Sequence, residues 1–187
     1  ILAGKIFLKK LLHYNNQDNS IFGIFGIIII SFFALLINFF FPLDKIVNLS
    51  VTIFIILLGF FFKIQFSKKD VLFLLIVSAV VLFLLAYTNE YRPDAGLYHL
   101  PYSQILNENK IILGLSNLHF RFGHISIIQY LSSINYNFLI GKMGIFIPLA
   151  SLVSFIYIYF IVDIYKLIKR KENFSLVLAK KAPFSPR

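Results

Sequence analysis

The sequence predicts an all-α, polytopic membrane protein, with four transmembrane helices and a long extracytoplasmic loop containing surface helices. Three observations lead there. Hydrophobic residues make up 59% of the 187 and charged residues 14%, against about 45–50% and about 25% in soluble domains. The apolar residues fall in long uncharged runs, the pattern of spans. Lys and Arg then alternate in density between successive connections, as membrane topology demands. A soluble globule is excluded, because too little polar surface exists to cover such a chain. Disorder is excluded too, because 23 Phe are incompatible with it. With no Cys, thiolate chemistry and disulfides are absent.

Four runs supply the spans. Residues 20–41 form 22 uncharged positions, about 33 Å of helix against a hydrocarbon core of about 30 Å. Residues 46–62 and 71–87 have 17 positions each, the lower limit for crossing, and need flanking lysines such as Lys45 and Lys63 to snorkel. Residues 143–162 complete the set, with Pro148 near their start. Ahead of them, 1–13 is apolar with Lys5, Lys9 and Lys10. It reads as the tail of an earlier span or an interfacial helix. A chain that starts at Ile1, with Met143 its single Met, is expected to be part of a longer reading frame.

Segments 1–19, 63–70 and 163–187 hold thirteen basic residues, and 42–45 with 88–142 hold five. The positive-inside rule therefore places both visible termini and the basic tail 163–187 in the cytoplasm and the loop 88–142 outside. The net charge of +10 marks topology, and nucleic acid is not an expected partner. The expected partner is the lipid bilayer.

Polar chemistry gathers in 88–142, which has three of the four His and three of the eight acids. Pro93-Asp94 is a helix-start signal, predicting a helix over 95–106 that Pro101 weakens. A turn follows over 107–110. A second amphipathic helix is expected over 122–138, with Ile125, Ile128, Leu131 and Ile134 or Tyr136 on its apolar face. Both helices are expected to lie at the membrane surface.

Two constellations stand out. Asp94, Tyr98 and His99 place a carboxylate one helical turn from a phenol. That carboxylate can act as a general base towards a hydroxyl or hold a divalent cation; it equally serves as a plain N-cap among interfacial tyrosines. Asn117, His119, Arg121 and His124 lie within GLSNLHFRFGHIS. Arg and His suit a phosphate through forked, charge-assisted hydrogen bonds, or simply sit beside headgroups. A zinc site from Asp94, His99, His119 and His124 lacks any HxxxH or HExxH spacing.

DAGLYHL followed by GLSNLHFRFGHIS resembles a group of uncharacterised multi-pass bacterial inner-membrane proteins, whose loop reads approximately DTGLYH and then GLGNLHGRLGFNS. More distantly, the layout is similar to C-type membrane glycosyltransferases, which take sugars from polyprenyl-phosphate carriers. The resemblance covers about 91–133. Ser116 and Phe120 stand where it expects glycines, His124 where it expects an apolar or aromatic residue, and the loop follows the third visible span instead of the first. It implies a glycosyl transfer at the outer face of the inner membrane. Asp94 would be the catalytic acidic residue, acting on the acceptor hydroxyl or through a divalent cation. Tyr98, His99, Asn117, His119 and Arg121 would bind the polyprenyl-phosphate-linked sugar. The alternative is a non-catalytic transporter, flippase or polymerisation partner of surface-polysaccharide export. Such a protein usually meets its cargo with ionisable groups inside its spans.

Overall fold

The computed structural model describes residues 1–14, 18–87, 95–123, 126–135 and 141–169. Among them every regular element is helical. Helix α1 (Leu2–Lys5) runs on as a π-helix, Ile6–Leu11. Helix α2 covers Asn19–Asn38, α3 Lys45–Phe61 and α4 Lys68–Tyr87. A π-turn, Ala95–His99, leads into α5, Leu100–Glu108. Two 3-10 turns, Leu115–Asn117 and Phe120–Gly123, precede α6, Ile127–Ile134. A further 3-10 turn, Lys142–Phe146, opens α7, Ile147–Lys169.

Among the described residues, three helices are long and apolar enough to cross a membrane: Asn19–Asn38, Lys68–Ala86 and Gly144–Lys169. Lys45–Phe61, the expected second span, is a 17-residue apolar helix. Short polar caps set the starts. Asp18 Oδ1 accepts from Ser20 N at 2.9 Å and Asp44 Oδ1 from Val47 N at 2.8 Å. Ser67 and Asp70 cap reciprocally: Ser67 N donates to Asp70 Oδ2 at 2.7 Å and Asp70 N to Ser67 Oγ at 3.3 Å.

Helix α2 is the hub. Its buried residues include Ser20, Gly23, Gly26, Ser31 and Ala34, small side chains that let other helices approach closely. Phe25, Ile28, Phe32 and Leu36 are exposed on the opposite side. Apolar side chains therefore face outward, the arrangement lipid favours. Helix α1 crosses α2 where two glycines meet. A Cβ on Gly4 would lie 1.8 Å from the Phe22 carbonyl oxygen, and one on Gly26 would lie 3.1 Å from the Gly4 nitrogen.

Lys5, one of the basic residues of the segment 1–19, is buried at this crossing, 2% exposed. Its Nζ lies 2.8 Å from Asp70 Oδ2, and the rings of Phe66 and Phe22 stand 4.7 and 5.8 Å away. Asn19 Nδ2 donates to the other Asp70 oxygen at 2.7 Å. The starts of α2 and α4 therefore lie side by side. Phe155 of α7 packs on α2 at Gly23 and stacks on Phe73 of α4 with ring centroids 6.1 Å apart.

The other end of α2 meets the 95–135 region. Asn38, fully buried, donates from Nδ2 to Phe41 O and Asn109 O and accepts at its backbone oxygen from Ile111 N. Helix α6 departs from the expected surface helix. It is shorter than 122–138, and Tyr130, Leu131, Ser132, Ser133 and Ile134 are all buried. Leu131 and Ile134 join one core with Ala34 and Val51, and Asn48 Nδ2 donates to the Ile134 oxygen. Ser132 and Ser133 are buried among these apolar residues. Ser133 returns its hydroxyl to the Gln129 carbonyl at 2.9 Å and so needs no partner across the interface. The helical stretch 95–108 changes from a π-turn to the α-helix α5 just before Pro101, whose missing N–H cannot join regular α bonding.

Candidate functional site

The site is built from two short segments that α5 and α6 hold together. Beneath it, the Tyr102 and Tyr130 hydroxyls meet at 3.3 Å in a buried contact. Burial and this bond push the Tyr102 phenol well above its ordinary range. Phe122 packs on Tyr102 at 5.7 Å between ring centroids and on His119 at 5.4 Å. Gly114, at φ +83°, makes the left-handed turn that starts the Leu115–Asn117 helix. The Asn117 N–H closes that turn on the Gly114 carbonyl at 2.9 Å.

On this base Arg121 is held between two rings. Its guanidinium carbon lies 4.6 Å from the Tyr98 centroid and 5.6 Å from that of Phe120. Phe120 in turn stacks on His119 at 5.2 Å, and His119 Nδ1 accepts from the Arg121 backbone N–H at 3.3 Å. Tyr98 and His99 lie ring to ring at 4.2 Å. Tyr98, His99, His119 and Arg121, distant in sequence, therefore form one aromatic and basic cluster. Asn117 is not joined to it: its amide lies beside Gly114. Asp94 and His124 fall outside the described residues. The expected Asp94–Tyr98 pairing and any role of His124 fall there with them.

A residue the sequence reading passed over is Gln129. Its Oε1 accepts from Ser126 N at 3.2 Å, completing a capping box at the start of α6. Its Nε2 reaches His99 Nδ1 at 2.9 Å. Because an amide nitrogen only donates, His99 accepts at Nδ1, and a neutral ring then carries its proton on Nε2. The Ser126-x-x-Gln129 spacing was the signal available for this residue.

A guanidinium over an aromatic face is a group suited to an oxyanion such as phosphate, which it binds through forked, charge-assisted hydrogen bonds. Leu97, next to Tyr98 in the chain, Leu118, next to His119, and Phe120 are exposed apolar side chains. An anion bound there would carry an apolar neighbour. Among the described residues no three His, Asp or Glu gather as a metal-binding group.

No curated protein and no solved structure is a significant match to the chain. A family model described as "Domain of unknown function (DUF8201)" matches residues 1–186. The chain, over nearly its whole length, belongs to the DUF8201 family.

Proposed function

We propose that the protein acts as a membrane glycosyltransferase, moving a sugar from a polyprenyl-phosphate carrier to a surface-glycan or lipid acceptor at the extracytoplasmic face of a bacterial inner membrane. The observation that carries this reading is the Arg121 guanidinium stacked on Tyr98, with His99 and His119 beside it and exposed apolar side chains next to these residues in the chain. A lipid-linked phosphate needs both, a planar cation for the oxygens and a greasy margin for the chain.

In this scheme α3 is the second of four spans and 88–142 faces outward. Two features support it. The starts of α2 and α4 are tied by Asn19–Asp70, and the 106–111 stretch is bonded to the far end of α2. Asp94, immediately before Ala95, takes the acceptor proton. The acceptor oxygen then bonds to the anomeric carbon while the carbon–oxygen bond to the carrier phosphate breaks. That phosphate leaves with the electron pair, stabilised by Arg121.

The test uses the full-length protein in its own host. Surface glycans are compared at matched protein levels among wild type, Asp94→Ala and Arg121→Ala. Loss of one glycan in both variants is expected, with lipid-linked sugar accumulating. Unchanged glycans in Asp94→Ala would remove the catalytic role and leave a non-catalytic export partner.

A further inference from the structure

A cavity of about 490 Å³ opens where the α2–α3 connection, α5 and the turn before α7 meet. That size falls within the roughly 300–1,000 Å³ of small-ligand sites. Ile46, Leu100 and Ile145 form an aliphatic wall, and Asp44, Lys45, Gln104, Asn107 and Glu108 supply the polar lining. The frame is fixed by main-chain bonds: Leu43 N donates to Leu106 O and Ile111 N to Asn38 O, both at 2.8 Å.

The lining is rich in acceptors and poor in donors. Gln104 Nε2 is already committed to Glu108 Oε1 at 2.8 Å. Asn107 Nδ2 is committed to Ser103 O at 2.6 Å and Ser133 O at 3.3 Å, which fixes the orientation of the amide. Its Oδ1 is buried and accepts no hydrogen bond. Asp44 spends one oxygen capping α3, and each ionised carboxylate has further acceptor capacity. Two carboxylates outweigh the one lysine. A ligand that completes this cavity is a positively charged donor with an apolar body beside it.

A primary ammonium offers three N–H donors. Phe39, Phe40 and Phe41, a few residues before Asp44 in the chain, are exposed at the end of α2, a membrane-length helix. That position is where headgroups meet hydrocarbon. We propose that this cavity binds the primary ammonium of an ethanolamine phospholipid, with Asp44, Asn107 and Glu108 as acceptors and Ile46, Leu100 and Ile145 along the chain side. The assignment stands on the cavity and does not require Arg121 to hold a phosphate.

The full-length protein is reconstituted into vesicles with equal amounts of dioleoyl phosphatidylethanolamine, phosphatidylcholine and phosphatidylglycerol, and retained lipids are counted by native mass spectrometry. The ethanolamine lipid should be retained about tenfold over the choline lipid, whose nitrogen carries no N–H. Asp44→Asn with Glu108→Gln should bring the two to parity while preserving the α3 cap and the acceptor for Gln104. Ile145→Trp, which fills the cavity, should do the same, and Arg121→Ala should leave the preference intact. Parity in wild type, a preference for the glycerol lipid, or a preference surviving both cavity variants would overturn the proposal. Displacement by an equal concentration of soluble phosphoethanolamine would overturn the lipid as its source.

Discussion

Tyr102 shows how one side chain links packing to solution behaviour. Its phenol is 3% exposed, meets Tyr130 through the hydroxyl, and is pushed above its ordinary range. An unfolded tyrosine ionises near pH ~10. The folded chain therefore holds its proton where the unfolded chain releases it. The stabilisation is complete below that pH and drains away as pH rises beyond it. Melting in nanodiscs at neutral and strongly alkaline pH should show a larger drop for wild type than for Tyr102→Phe; an equal drop in both would remove Tyr102 as the cause. The partnership was hidden in the sequence, because 28 positions separate the two tyrosines. Tyr98, His99, His119 and Arg121 were legible as chemistry. Their assembly was not, since it depends on Phe122 packing on Tyr102 and on the Gly114 turn. Gln129 went unread because an amide amid apolar residues looks like an interruption until its two partners are in view.

At the scale of elements, uninterrupted apolar runs made α2, α3 and α4 readable to within three residues at either end, while α7 runs on to Lys169, past its expected end at 162. Their ends were set by Asp18, Asp44 and Ser67 acting as caps. Which faces meet was not readable, because lipid-facing and partner-facing positions in such helices are both apolar or small. The Gly4–Gly26 crossing is the sharpest case. Gly26→Val inserts a branched side chain 3.1 Å from backbone, and overpacking of this kind costs about 1–3 kcal/mol. Hydrogen exchange over residues 2–11 should quicken in Gly26→Val, with Gly26→Ala intermediate. Unchanged exchange would mean that the crossing does not hold α1 in place. Helix α6 carries the same lesson: its serines read as polar breaks, yet serine hydroxyls that bond back to their own helix are compatible with burial.

For the whole molecule, the helices meet through small residues and a few large ones such as Phe22, Leu43, Leu106 and Phe155, and many large apolar side chains are left outside. Helix α4 turns mainly Val77 and Val81 inward, so most of its surface is left for lipid or another protein. The starts of α2 and α4 lie side by side, and Phe155 of α7 packs near both. Single cysteines are informative here because the chain has none of its own. Cysteines at Ser67 and Lys169 should react with a membrane-impermeant maleimide from the same side, and one at Asn109 from the other. Labelling of all three from one side would refute the proposed topology.

The buried contact between Lys5 and Asp70 also sets a sequence of events during biogenesis. Lys5 leaves the ribosome 65 residues before its counter-ion. Until the start of α4 has been made, docking α1 on α2 would strand an ammonium without compensation, which a low-dielectric site strongly penalises. Helix α1, translated ahead of α2 and α4, thus settles only after both, and nascent chains halted ahead of residue 70 carry α1 undocked. A salt bridge in the finished protein acts, during synthesis, as a checkpoint on assembly.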